Sequence, residues 1–172
     1  MKLHGKMSLK TLDKGFANLE RLSERAAHVN VGLGGEDEEV FMRGKVHEFG
    51  SANVPQRSFV RSTVEKNNPK YKKILHGILV TELSAAIKGA KSNSAGQLDQ
   101  LGRQAVGDIR AKIKSNIAPG LKDETIARKK HAGYAQPTTA LLATGKLMAS
   151  VTHEVIGKKS HGKQSGHGGH HG

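Results

Sequence analysis

From Leu9 onward, Leu12, Phe16, Leu19, Leu22 and Ala26 follow one another at steps of three or four residues, with Lys14, Glu20, Arg21, Glu24 and Arg25 between them. That spacing predicts an amphipathic helix, which needs a sheet or another helix to lie on. The period then changes. His28-Val29-Asn30-Val31-Gly32-Leu33 alternates apolar and polar positions and is rich in β-branched residues, so a strand is expected, ended by Gly34-Gly35. Glu36-Asp37-Glu38-Glu39 stands just before Val40-Phe41-Met42, and acids in a first turn favour the positive end of a helix.

Further on, Ser62 and Glu65 have the spacing of a capping box. Tyr71, Ile74, Leu75, Ile78, Leu79, Leu83, Ala86 and Ile87 then form the longest helical stripe in the chain, and this helix is expected at the centre of the core. Lys91 to Gly96 is a turn-rich break in which Ser94 and Gln97 repeat the capping-box spacing. Leu98, Leu101, Ala105, Ile109 and Ile113 share one side of the next helix, with Arg103, Arg110, Lys112 and Lys114 mostly on the other. Pro119-Gly120 closes that segment. A short helix is expected from Leu121 to Lys130, its Arg128-Lys129-Lys130 suited to a helix's negative end. His131 to Thr139 reads as a loop able to move or to order against a partner. Leu141 to Ala149 reads as a short helix and Ser150 to Ile156 as a strand.

Strands early and late with helices between them predict an α+β fold, helices packed on a small, mainly antiparallel sheet. The strands near 29–33 and 150–156 would pair, and a third at the Pro55 corner is left open. The domain organisation expected is a flexible N-terminus at 1–8, a single α+β domain at 9–157, and a disordered Gly/His/Lys-rich tail at 158–172, too polar to offset the entropy of ordering.

With 172 residues the chain is long enough for one real core, and with 3% aromatics and no Trp that core must be aliphatic. The absence of Cys excludes disulfides, thiolate metal sites and a cysteine nucleophile. No apolar run approaches the roughly 20 residues of a membrane span. The N-terminus is basic but lacks the apolar region and cleavage site of a secretion signal, so a soluble cytoplasmic product is expected. Net charge is +13 and unevenly placed: residues 1–50 carry 8 Lys and Arg against 8 Asp and Glu, residues 51–172 carry 20 against 7. Such a surface attracts phosphate backbone or acidic protein without naming the partner.

Val46 to Arg61 holds two of the six aromatics and one of the four prolines. It reads as a built corner: a helix end, a break at Gly50 able to take positive φ, an extended Asn53-Val54-Pro55, then Phe59 before a second helix. Phe49 and Phe59 both offer large apolar area to bury. His47-Glu48-Phe49-Gly50, Asn53 and Pro55-Gln56-Arg57-Ser58-Phe59 match H-E-F-G-x-x-N-x-P-x-R-x-F. Pro119-Gly120-Leu121 with Thr125-Ile126-Ala127-Arg128-Lys129 matches P-x-L-x-x-x-T-I-x-R-K, and Leu142-Ala143-Thr144-Gly145-Lys146-Leu147 with Ser150-Val151 matches L-x-[DA]-T-G-x-L-x-x-S-[IV]. In that order, and over about residues 10–157, the chain resembles the tail-completion or neck proteins at the head–tail junction of tailed bacteriophages. Two departures stand out, Ala143 where Asp is common and Lys122 where a capping Ser is common.

The resemblance implies a structural virion protein without catalysis, made in the host cytoplasm, that completes the top of the tail and joins it to the head as a homo-oligomeric ring. It implies a head-closure or connector protein on one side and a tail terminator or tail tube protein on the other, with no membrane partner and nonspecific contact with genomic DNA as a further option. Alternatives are the tail terminator ring itself and a sequence-independent DNA-binding protein. Phe49, Gly50, Asn53, Pro55, Arg57, Phe59, Arg61, Thr144 and Gly145 are the structural corner and interface candidates, with Gly50, Pro55 and the two Phe as pivot and Arg57 and Arg61 as ion-pairing or contact residues.

Motifs of chemistry mostly fail. Thr144-Gly145-Lys146 lacks the upstream glycine of a P-loop, since Ala140 stands there, and Leu147 replaces its Ser or Thr. Gly32-Leu33-Gly34 lacks the third glycine of a dinucleotide fingerprint, Asp37 standing in its place. His47-Glu48 has Ser51 where a zinc-protease helix needs its second His, and His47 reads better as a packed corner residue. The four consecutive acids at 36–39 point in different directions, and His161, His167, His170 and His171 bind divalent metal in vitro whatever their biology. No catalytic residue, cofactor or resident metal is assigned.

Overall fold

The computed structural model describes residues 27–90 and 93–157, with Ala17 as an isolated further position. The amphipathic stretch at 9–26 and the tail at 158–172 otherwise lie outside the described residues. The fold is α+β. In order the elements are β1 (His28–Leu33), α1 (Glu38–Phe49), α2 (Arg61–Lys88), α3 (Ser94–Lys114), α4 (Asp123–His131), α5 (Lys146–Ala149) and β2 (Val151–Ile156). Among the described residues the sheet has two strands, and the Pro55 corner contributes none.

β1 and β2 pair antiparallel from His28↔Ile156 to Leu33↔Val151. A two-stranded ribbon is marginal alone in water. Here α3 supports it. The apolar stripe predicted for that helix is its buried face: Leu98, Leu101, Ala105, Ile109 and Ile113 are all inside, joined by Gly102 and Val106. Gly102 sets the approach, because a Cβ there would stand 2.2 Å from the His153 ring and 3.0 Å from Val29. Helix and sheet can meet this closely only without a side chain at that position.

The core is two adjoining clusters. Phe59, Val106, Ile109, Ile113, Leu141, Leu142 and Val151 form the larger, with Val31, Leu33 and Leu147 packed against it. Tyr71, Leu101 and Ala105 form the smaller, with Val29, Val31 and Ile74. Burying one such aliphatic side chain fully is worth about 1.5–3 kcal/mol, and Phe59, Ile109, Ile113 and Val151 are the side chains with no exposure.

α2 departs from expectation. It is the longest helix at 28 residues, yet only Thr63, Tyr71 and Ile78 are buried, so it flanks the core that α3 occupies. Its start also differs. The N-cap is Val60 and carries no side-chain cap, while the Ser62 hydroxyl donates back to the Ser58 carbonyl at 2.6 Å rather than closing a box with Glu65. At α3 the cap falls one residue earlier than predicted, Asn93 accepting from Gly96 N. α4 begins after Lys122 with no side-chain cap, in keeping with Lys standing where Ser is common. The short helix expected from Leu141 shrinks to α5 because Leu141 and Leu142 are drawn into the core as irregular chain.

Candidate functional site

α1 buries Val40, Gly44 and Glu48, positions four apart on one face. Gly44 lets that face approach the sheet, since a Cβ there would stand 2.2 Å from Leu33. At the start of α1, Asp37 caps Val40 N at 3.1 Å and binds Lys146 Nζ at 3.2 Å. The backbone bond from Val40, then Lys146, hold its carboxyl below the usual range. The acids at 36–39 thus act as a helix start, and among the described residues no His, Cys, Asp and Glu cluster could hold a metal ion.

The end of α1 is the corner. Gly50 sits at φ 80° and donates to Val46 O at 2.7 Å. The next two carbonyls are met by residues returning from the turn, His47 O by Arg57 N at 2.7 Å and Glu48 O by Gln56 Nε2 at 3.1 Å. Between them Ser51 N donates to Val54 O at 2.8 Å, which leaves Asn53 and Pro55 exposed at the tip. Residues 50–57 therefore supply the donors that a helix end otherwise leaves to water.

Glu48 does the converse for α2. The residue is buried, and its carboxylate accepts from Ser58 Oγ at 2.7 Å and from the backbone N–H of Phe59, Val60 and Arg61 at 2.8, 3.0 and 3.0 Å. These donors lie at the positive end of a 28-residue helix, where a carboxylate is favoured. Burial alone would raise the Glu48 pKa; the Ser58 hydroxyl and the N–H groups of Val60, Arg61 and Phe59 outweigh it and leave it lowered. His47 lies beside it. Burial first, then the charges of Arg57 and Arg43, lower its pKa, and its Nδ1 is buried without a hydrogen-bond partner.

Arg57 is 4% exposed and makes no ion pair among the described residues. Its Nε donates to Pro119 O at 2.7 Å and its Nη2 to Gly120 O at 3.1 Å, carbonyls of an irregular segment with no ladder partner. Burial lowers its pKa. The Arg61 guanidinium lies over the Phe49 ring at 5.6 Å. Phe49 itself corrects an expectation. Phe59 has no exposure, but Phe49 is 64% exposed, because it follows Glu48 and so turns off the buried face of α1.

Thr144 and Gly145 belong to a different part of the molecule. Gly145 takes φ 77° as the N-cap of α5, and Thr144 Oγ1 accepts from Lys146 N at 3.4 Å. Phe59 of the corner and Leu142, two residues before Thr144, share one core cluster.

Two side chains matter more than the sequence indicated. Lys129 is buried and donates to the carbonyls of Gln136, Thr139 and Leu142 at 3.3, 2.6 and 3.0 Å, so the loop after α4 is anchored rather than loose. Burial lowers its pKa. Arg110 donates to Met148 O at 3.1 Å and Val151 O at 2.9 Å. Arg103 pairs with Asp99, and along the same helix Lys114 is exposed while Lys112 is half-buried.

Outside the corner's polar core lies an apolar surface. Phe41, Met42, Phe49 and Val64 are 43%, 49%, 64% and 41% exposed, with Lys45 over the Phe41 ring at 5.6 Å. Among the described residues no helix is long and apolar enough to cross a membrane. Comparison with protein-family models, with curated proteins and with solved structures gave no match.

Proposed function

We propose that this chain is a structural protein of the tailed-phage neck, which completes the top of the tail and joins it to the head as a ring, without catalysis. The observation that carries the reading is the joining of the three sequence segments behind the resemblance. Arg57 of the first binds the Pro119 and Gly120 carbonyls of the second, and Lys129 of the second binds the Leu142 carbonyl of the third. Unrelated chance matches have no reason to be one another's partners. The polar residues of these segments serve backbone groups, as befits a rigid assembly module more than a reaction site.

The ring would use heterologous contacts, in which two different surfaces of each copy meet. The exposed Phe41, Met42, Phe49 and Val64 are the contact residues proposed for one such surface, since exposed large apolar side chains favour protein contact. Head-closure and tail terminator or tube proteins are the neighbours proposed, in a virion assembled in the host cytoplasm. Solution mass and negative-stain imaging, with and without tail tubes, test this. Rings or capped tube ends are the expected result; a monomer indifferent to tubes and to a head-closure partner would overturn it.

A second reading, sequence-independent DNA binding, is favoured by exposed Lys66, Lys72 and Lys73 along α2. It predicts saturable duplex binding that weakens steeply with salt.

A further inference from the structure

Among the described residues the sheet is a ribbon of β1 and β2 alone, with α3 on one face, so each strand has an edge that no other strand meets. Two contacts fix which backbone groups lie on those edges. Gly34 N donates to Ser150 O at 2.8 Å, one step beyond the Leu33↔Val151 pair. Antiparallel strands exchange bonds at every second pair, so His28, Asn30 and Gly32 bond across to Ile156, Glu154 and Thr152. The N–H and C=O groups of Val29, Val31 and Leu33, and of Val151, His153 and Val155, then point outward. Arg110 agrees from the outside: its Nη2 donates to Val151 O at 2.9 Å, as expected of a carbonyl turned away from β1.

That contact closes one end of the β2 edge. Beyond it, no hydrogen bond among the described residues reaches the outward groups of His153 and Val155, nor those of Val29 and Val31 on β1. Edge strands are usually protected by Lys, Pro or a bulge. His28–Leu33 and Val151–Ile156 contain neither Lys nor Pro, and their register runs without a bulge.

We infer that the β2 edge of one copy pairs with the β1 edge of the next, so that the sheet continues from copy to copy. The inference rests on the ring reading and supplies its main contact. A second copy of this chain is the occupant because each copy carries two different edges, as heterologous contact requires. A rotation by a fraction of a turn keeps the sense of β1, so the next β1 runs antiparallel to β2, as within one chain. The register carries over as well. Setting His153 and Val155 against the neighbour's Val31 and Val29 joins outward groups to outward groups and keeps all four side chains on the α3 side. It places Glu154 opposite Asn30. Matching His153 and Val155 of two β2 edges in a two-fold contact would instead set Glu154 against Glu154, like charges directly opposite.

The test is disulfide trapping. The chain has no Cys, so introduced thiols have no background. Asn30 and Glu154 are exposed, and across the proposed contact they form the closer, non-hydrogen-bonded kind of pair, with Cα atoms about 4.5 Å apart, within disulfide reach. Asn30→Cys and Glu154→Cys are made in separate full-length chains, which are co-expressed and oxidised. Covalent dimers from the mixture, absent from either variant alone, are expected. Dimers from Asn30→Cys alone or Glu154→Cys alone would assign the edge to a two-fold contact and overturn the inference. Rings that give no dimer in the mixture would overturn it and leave the ring reading standing, whereas failure of the unsubstituted protein to form rings would overturn both. Should either variant fail to fold, His28→Cys with Ile156→Cys, the next outward-facing pair, gives the same readout.

Discussion

The carboxylate of Glu48, in the last turn of α1, accepts the backbone N–H of Phe59 at 2.8 Å and thereby fixes where α2 begins. Val60 and Arg61 donate to the same group. Glu48→Ala leaves these donors without an acceptor, and a loss of about 2–4 kcal/mol is expected from the cost of unsatisfied buried groups. Glu48→Gln keeps one acceptor oxygen and no charge, so it should fall between. Urea unfolding of the three proteins checks the order.

Acid should destabilise the protein through the same corner. His47 has a folded pKa below its ordinary value, so the unfolded chain takes up its proton first and stability falls as pH drops below about 6.5. Glu48 is also lowered, and its contribution, full above its unfolded value of about 4.5, is lost as pH falls through the folded one. His47→Gln should flatten the upper part of the slope and leave the lower part. Urea midpoints measured from about pH 7.5 to 4 decide it.

Arg57→Lys keeps a cation but loses the fork that reaches two carbonyls at once. A loss of roughly 1–2 kcal/mol is expected. Hydrogen exchange should quicken at 117–122 and stay slow in α3; an even increase throughout would mean that Arg57 does not act on that segment.

Gly50→Val meets two obstacles. The backbone sits at φ 80° and ψ 172°, a region essentially reserved for glycine that costs another residue about 1–3 kcal/mol, and its Cβ would lie 3.2 Å from Gln56 N. Reduced soluble yield and a lower melting temperature are expected. Normal melting of the Val variant would remove Gly50 from the role of pivot.

Phe49→Ser separates stability from assembly. With the ring 64% exposed, the folded monomer should change by less than about 0.5 kcal/mol. In the proposed ring the same change removes an apolar contact, so the assembled fraction in sedimentation should drop. A variant that assembles normally would take Phe49 out of the interface.

Local patterns in the chain led to the strand pair and to the buried face of α3, because alternation and three-to-four spacing report directly on which side is apolar. They misjudged α2, since periodicity identifies a greasy face but not what lies on it: Leu79 and Leu101 look alike in sequence, yet one is 59% and the other 5% exposed. The caps failed for a related reason. Ser62 and Glu65 have the right spacing, but the acceptor for α2 comes from Glu48, on the preceding helix, and only the folded corner brings it there. Lys129 carried a local signal for a helix end and none for the carbonyls of a loop up to 13 residues further on. For Arg57, expected as an ion-pairing or contact residue, the partners are the carbonyls of Pro119 and Gly120.

The pairing of His28 with Ile156 has a mechanical side. The strand that opens the described body and the strand that closes it have their outer ends together, so tension applied at His28 and Ile156 would peel the ribbon one pair at a time. Peeling loads each hydrogen bond singly, whereas shear loads all of them in parallel. A ribbon wired this way resists force poorly through those two ends and far better through the helical flanks. In a joint under load, the stress would have to enter and leave by those flanks.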